Sequence, residues 1–270
     1  MNSLTGERRI KLTLHYDGAG FFGWQVQPGV RTVQAELEAA LSRLTDRPIT
    51  VIAAGRTDRG VHATGQVASM LVPEKWTAAA LQRALNAILA EDIWIAAAVE
   101  VPASFHARYD AVSRSYRYRV GTVAEAWSPF HRRWCWPLRA EPNQALLQDA
   151  AERFLGTHSY VAFAKTGQPE RGEQCTVTQA HWTTWQYGVQ FDVTANRFLH
   201  HMVRYMVGTM VDIALARRPA ADIERLLGDR AALETSPPAP PEGLFLTKVQ
   251  YVTGDQANGD WETLGAFVHE

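Results

Sequence analysis

The stretch Ala53-Ala54-Gly55-Arg56-Thr57-Asp58-Arg59-Gly60-Val61-His62-Ala63-Thr64-Gly65-Gln66-Val67 decides how this chain is read. It follows an apolar run, residues 49–54, of the kind that forms a buried strand, and glycines at 55 and 60 bracket a single carboxylate. In an extended segment residues two apart share a face, so Arg56 and Asp58 can project into one cleft while Thr57 turns away. A strand, a tight loop and a carboxylate beside a cation can hold a reactive group. The same residues also suit an ordinary turn, because Asp and Gly supply turn hydrogen bonds and positive φ.

Outward from this stretch, strands and helices follow in a regular order. Residues 10–16 alternate apolar and polar as a strand does, and Thr32 can cap a helix whose Val33, Leu37, Leu41 and Leu44 recur at helical spacing. After the Asp58 loop, residues 66–72 form a strand ended by Pro73. Thr77 caps a second helix carrying Leu81, Leu85, Ile88 and Leu89, and residues 93–99 are apolar enough for a buried strand. The later chain repeats the order: a strand at 115–120, a helix at 143–155 stopped by Gly156, a hairpin of 175–185 and 188–194 around Gln186-Tyr187, a long helix at about 198–216, and a last strand at 244–251. The economical fold is α+β, with two ferredoxin-like (βαββαβ) halves sharing a mixed, mainly antiparallel sheet, helices packed on it and a central active-site cleft. The expected divisions are residues 1–104, residues 105–252 and a polar C-terminal tail, 253–270, with scattered Trp261, Leu264 and Phe267. The proline-rich run 236–241 is a stiff extended linker into the last strand.

Composition bounds the function. With 270 residues, 46% hydrophobic and 20% charged, the chain can build its core without staples. Two cysteines without metal spacing suggest neither a disulfide framework nor a zinc site, and a reducing compartment fits. The first residues lack the apolar core of a signal peptide and no apolar run is long enough to span a membrane, so a cytoplasmic location is expected. A formal charge of −1 does not announce a nucleic-acid binder, so any RNA site must gather basic groups on one face.

Three further stretches carry chemistry. Arg108, Arg114, Arg117 and Arg119 lie close in sequence, with Tyr116 and Tyr118 on one face of their strand and Arg117 and Arg119 on the other. Such a basic face suits RNA or is simply solvated. Trp127-Ser128-Pro129-Phe130-His131-Arg132-Arg133-Trp134-Cys135-Trp136 is dense in aromatics and could stack on bases, but tryptophans anchoring a connecting strand in the core are the simpler expectation. In Asn196–Gly208 the apolar stripe of Leu199, Met202, Val203 and Met206 widens until the helix is mostly buried, so Arg204 needs an anion and Asp58 is the candidate. His200 and His201, about 100° apart on a helix, would make a poor two-ligand metal site and are assigned to packing or RNA contact.

Gly-Arg-Thr-Asp-x-Gly-Val-His-Ala, from Gly55 to Ala63, resembles the signature of the tRNA pseudouridine synthase A family. Other segments match the same family: Tyr16-Asp17-Gly18 with Gly23-Trp24-Gln25, Phe105-His106-Ala107-Arg108 with Tyr116-Arg117-Tyr118, Phe198-Leu199-His200-His201-Met202-Val203-Arg204, and Gly243-Leu244-Phe245-Leu246. The resemblance implies isomerisation of uridine to pseudouridine at positions 38 to 40 of the tRNA anticodon arm by a homodimer that needs no cofactor and no metal. It implies that Asp58 is the catalytic residue, as nucleophile or base, that Tyr116 lines the active site, and that Arg204 pairs with Asp58. Arg56 is expected to fill the space of the flipped base or hold the backbone, and Arg59, His200 and His201 to contact substrate. The chain departs from the family at Arg59, where Ala is common, and around Cys175–Gln179, which lacks a basic residue. Two other readings are a glycoside hydrolase, which needs a second carboxylate across the cleft, and a non-catalytic RNA-binding module, which needs no Asp58–Arg204 pair.

Overall fold

The computed structural model describes residues 6–165, 172–228 and 234–252. Strand β1 (Glu7–Tyr16) turns Ile10, Leu12, Leu14 and Tyr16 to one face and buries them. Against that face pack α1 (Val33–Thr45) and α2 (Ala78–Ile88), each started as the sequence predicts: Thr32 Oγ1 accepts from Ala35 N and Thr77 Oγ1 from Ala80 N. Strands β2 (Ile52–Ala53), β3 (His62–Pro73) and β4 (Ile93–Val101) complete the first half, with β1 antiparallel to both β3 and β4. In the second half β5 (Ala111–Gly121) pairs in parallel with the short β6 (Trp136–Pro137). Then come α3 (Gln144–Glu152), β7 (Gly156–Ser159), the hairpin of β8 (Gln174–Trp185) and β9 (Gly188–Ala195), α4 (Met202–Ala214), α5 (Asp222–Gly228) and β10 (Leu244–Tyr251).

The fold is α+β, and the described strands form one ten-stranded sheet, mostly antiparallel, in the order β4-β1-β3-β10-β5-β9-β8-β7. The last strand therefore lies in the middle. It runs parallel to β3, with Phe245 opposite His62, and antiparallel to β5, with Leu246 opposite Tyr116. Gly65 permits this seam, since a β-carbon there would stand 2.0 Å from Thr247 O. Among the described residues no helix is long and apolar enough to cross a membrane.

The structure differs from the sequence reading in several places. Only Ile52–Ala53 of the apolar run 49–54 pairs as a strand, although Ile49, Val51 and Ala54 are buried as expected. Helix α4 begins at Met202, not near 198, because His201 takes a left-handed conformation (φ 65). Trp136 anchors the short connecting strand β6 against the core as expected, but Trp127, Phe130 and Trp134 are exposed: two 3₁₀ turns, Ala124–Trp127 and Arg132–Trp134, turn only Ala126 and Cys135 fully inward. The tail 253–270, with Trp261, Leu264 and Phe267, lies outside the described residues.

The linker 236–241 crosses α4 in close contact. Ser236 N donates to Thr209 Oγ1 (3.3 Å), Ala239 N to Arg204 O (2.9 Å), and Tyr118 Oη to Pro240 O (2.7 Å). Gly208 makes the approach possible, for a β-carbon there would lie 2.1 Å from Pro237 O. Gly208→Ala should therefore lose about 1–3 kcal/mol in urea unfolding, as overpacking does. A gain of up to about 1 kcal/mol, the helix-propensity expectation for an exposed site, would show that the linker can lift off without cost.

Candidate active site

The loop 55–61 is clamped through its backbone. Trp24 N donates to Thr57 O (3.0 Å) and Gly60 N to Phe21 O (3.3 Å), while a β-carbon on Gly23 (φ 93) would stand 2.7 Å from Thr57 O and one on Gly18 2.1 Å from Val61 O. From below, Gln66 Nε2 holds Gly55 O (2.8 Å) and Arg114 Nη2 holds Ala54 O (2.9 Å). Thr57 turns inward, as strand alternation requires, and shares a hydrogen bond with Tyr16 Oη (2.7 Å). Asp58 opens a β-turn closed by Val61 N to Asp58 O (3.1 Å), with Gly60 at φ 80 in the position where a type II turn needs positive φ. Asp58 thus serves the turn with its backbone and leaves its carboxylate free to face the cleft.

That carboxylate meets groups from the other half of the chain. His200 Nε2 lies 3.1 Å from Oδ1, His201 Nε2 3.3 Å from Oδ2, and Arg204 Nη1 3.8 Å from Oδ2. Arg204 is also anchored by Nε donating to Ala239 O (2.7 Å), so the linker aims its guanidinium at Asp58. The two histidines are not on the helix as the sequence reading assumed. The left-handed turn at His201 brings their rings to 4.2 Å and both to Asp58, with the three ligand-type atoms within 4.8 Å of one another. The spacing that a helix would have forbidden for a metal is therefore present in space, beside a guanidinium that already supplies positive charge to the same carboxylate. Burial above all lowers the His201 pKa; Asp58 opposes this, while Arg204, His200 and Lys165 add to it.

Tyr116 comes up from β5 beneath this cluster, its ring edge-on to Phe198 at 5.0 Å. Burial, with the Asp58 charge adding to it, raises its phenol well above the ordinary value, so it stays protonated. Arg56 and Arg59 are both exposed on the loop. The Arg59 guanidinium lies 4.2 Å over the Phe22 ring. The arginines of β5 are largely committed to partners within the chain, so they form neither a free basic face for RNA nor a simply solvated one. Arg117 forks onto Asp192 (2.8 and 3.3 Å), Arg114 holds four backbone carbonyls, and Arg119 is mostly buried between Trp185 and Phe245.

Sequence reasoning missed the groups that hold the loop rather than face the cleft: Tyr16, Gln66, Arg114 and His62. His62 is fully buried and stacked on Phe245 at 4.7 Å, with Nδ1 3.1 Å from Asp17 Oδ1 and Nε2 3.1 Å from Arg133 O. Arg133 Nη2 in turn binds Asp17 Oδ2 (2.8 Å). These links tie the end of β1, the exit of the loop and the aromatic segment to one another. The position of His62 inside the quoted motif was the available signal.

The chain matches the family model described as tRNA pseudouridine synthase over residues 13–110 and 150–252. It is 42% identical over 246 residues to tRNA pseudouridine synthase A of Moorella thermoacetica, covering 90% of this chain and 99% of that protein. It is 39% identical to the protein of the same name in Methylacidiphilum infernorum (89% and 94% covered) and 38% identical to that of Chlorobaculum tepidum (91% and 98%).

The Asp17 carboxyl is held down at about 2, chiefly by its hydrogen bond to His62, with Ala19 N and Arg133 adding and burial opposing. A carboxylate whose pKa falls on folding contributes stability above its unfolded pKa, near 4, and loses it as pH drops through about 2. Asp17→Asn should cost about 1.5–3 kcal/mol at pH 7, the range for hydrogen bonds to a charged group. The gap between parent and variant in urea unfolding should narrow from pH 4 downward. A gap independent of pH would show that the charge contributes nothing.

Proposed function

This chain belongs to the tRNA pseudouridine synthase family, and we propose that it isomerises uridine to pseudouridine at positions 38 to 40 of the tRNA anticodon arm with Asp58 as its reactive carboxylate. The observation that carries the reading is the Asp58 carboxylate, faced by His200, His201 and Arg204 with Tyr116 beneath it. In the reaction the bond from uracil N1 to C1′ breaks, the base turns over, a bond forms from C5 to C1′, the C5 proton leaves and N1 takes up a proton. Asp58 acts as nucleophile or base. The target base leaves the stack, which costs a few kcal/mol met by contacts to the flipped nucleotide. Arg56, exposed beside Asp58, reaches the space the base vacates or its backbone, and Arg59 on its Phe22 ring offers a stacked cation to phosphate. His200 and His201 orient the carboxylate and contact the substrate.

Tyr116 supplies the ring on which uracil stacks and a phenol that stays protonated. It serves as hydrogen-bond donor and relay for the C5 proton, not as a standing base. The hydrolase reading loses support because Asp17 and Asp192, two of the three other acids in or beside the matched segments, are each committed to an arginine, which leaves Glu242 of that set, beside Tyr118. Residues 1–104 and 105–252 are the two units that bring Asp58 and its partners together. We place the enzyme in the cytoplasm as a homodimer.

tRNA tritiated at uridine C5 should release tritium with the parent protein. Asp58→Asn should abolish release while keeping tRNA affinity within about tenfold, since shape and phosphate contacts supply most of the binding. Loss of affinity in step with activity would make Asp58 structural. Tyr116→Phe should keep affinity and slow release at least about a hundredfold. Parental turnover in that variant would reduce Tyr116 to a stacking surface.

A further inference from the structure

The segment between β5 and β6 carries the most exposed large hydrophobic side chain among the described residues. Phe130 is 76% exposed, and Trp127 and Trp134 stand 37% and 39% exposed beside it. Two of these rings already carry a cation: the Arg139 guanidinium lies 4.8 Å over Trp127 and that of Arg133 5.3 Å over Trp134. Arg132 is exposed between them. The backbone beneath is rigid. Phe130 N donates to Ser128 Oγ (3.3 Å), His131 stacks on Tyr187 at 4.3 Å, and Cys135 is buried.

We propose that the rings of Trp127, Phe130 and Trp134, with Arg132 and Arg139, form a platform for unpaired nucleotides of the RNA substrate that flank the flipped uridine. The inference rests on the reading that the substrate is tRNA. Every base has a π-face, so a sequence-tolerant platform needs exposed rings with cations beside them for the backbone, as found here. Flipping one base unstacks its neighbours and leaves faces in need of a partner. The platform is within reach of the chemistry. Arg133 O touches His62 Nε2 at 3.1 Å, and three residues of chain separate His62 from Asp58. The segment backbone therefore lies within about 22 Å of Asp58, the length of about six stacked nucleotides.

A second copy of this chain is the rival occupant, and charge disfavours it. An isologous contact would set Arg132 and Arg139 against their own copies, with Glu125 as the one acid in the segment 124–139.

The test measures affinity for unmodified tRNA over a range of salt, tritium release from C5-tritiated tRNA, and sedimentation, for parent, Phe130→Ala, Phe130→Tyr and Arg132→Ala. Phe130→Ala should weaken affinity at least about fivefold, the lower range for losing one stacked base, and should leave sedimentation unchanged. Phe130→Tyr, which keeps the ring, should bind as the parent does. Arg132→Ala should flatten the slope of log affinity against log salt by about one. Parental affinity in Phe130→Ala overturns the proposal, as does equal weakening in both Phe130 variants or an oligomer that Phe130→Ala dissociates. A parent that binds tRNA but releases no tritium refutes the catalytic reading separately, because the affinity measurements do not depend on turnover.

Discussion

Asp58 sits on a loop of the first half of the chain, and the groups that face it, His200, His201 and Arg204, come from the second. A carboxylate and a guanidinium 3.8 Å apart attract strongly only where water is scarce, and each is expensive to bury alone. The two halves must therefore meet accurately, and much of the architecture serves that meeting. Glycines at 18 and 23 let the first strand's exit lie against the loop. Gly65 lets β10 lie against β3, and Gly208 lets the proline linker lie against α4. A β-carbon at any of these four sites would stand 2.0–2.7 Å from a facing carbonyl oxygen, so the contact would have to open.

Much of this was legible in the sequence. The caps at Thr32 and Thr77, the alternation in β1 and β5, and the proline-rich run into β10 are local signals, and the structure follows them. The burial of the helix after Leu199 correctly called for an anion near Arg204. What the sequence could not convey was where His200 and His201 point. At helical spacing the two rings diverge, whereas a single left-handed residue at 201 brings them together. Non-glycine residues in that conformation cost about 1–3 kcal/mol and persist where the surroundings hold them, here Asp58 on one side and the start of α4 on the other. The loop-holding set of Tyr16, Gln66, His62 and Arg114 also escaped, because each acts on a backbone atom or a residue distant in sequence.

The arginines show how little formal charge says about a surface. With a net charge near zero, a binding face depends on which cations are already engaged. On β5 Arg114 and Arg117 are spent on carbonyls and on Asp192, and Arg119 is enclosed by rings. Arg56, Arg59, Arg132 and Arg139 remain at the surface, and Arg59 and Arg139 lie over aromatic rings that restrict their motion without neutralising them. A guanidinium held that way gives up less conformational freedom when it meets an anion.

The central place of β10 ties activity to the order of synthesis. Roughly 170 residues lie between the end of β3 and the start of β10, so at about 5–20 residues per second the first half waits on the order of ten to thirty seconds for its sheet neighbour. During that interval the start of β3, around His62 and Ala63, lacks its neighbour while β2 covers the strand further along, and the linker that aims Arg204 is not yet made. A nascent chain cannot act on RNA before its last strand is in place. The same long-range pairing makes the closing of the sheet a slow, late step of folding, at which chaperones or premature association compete.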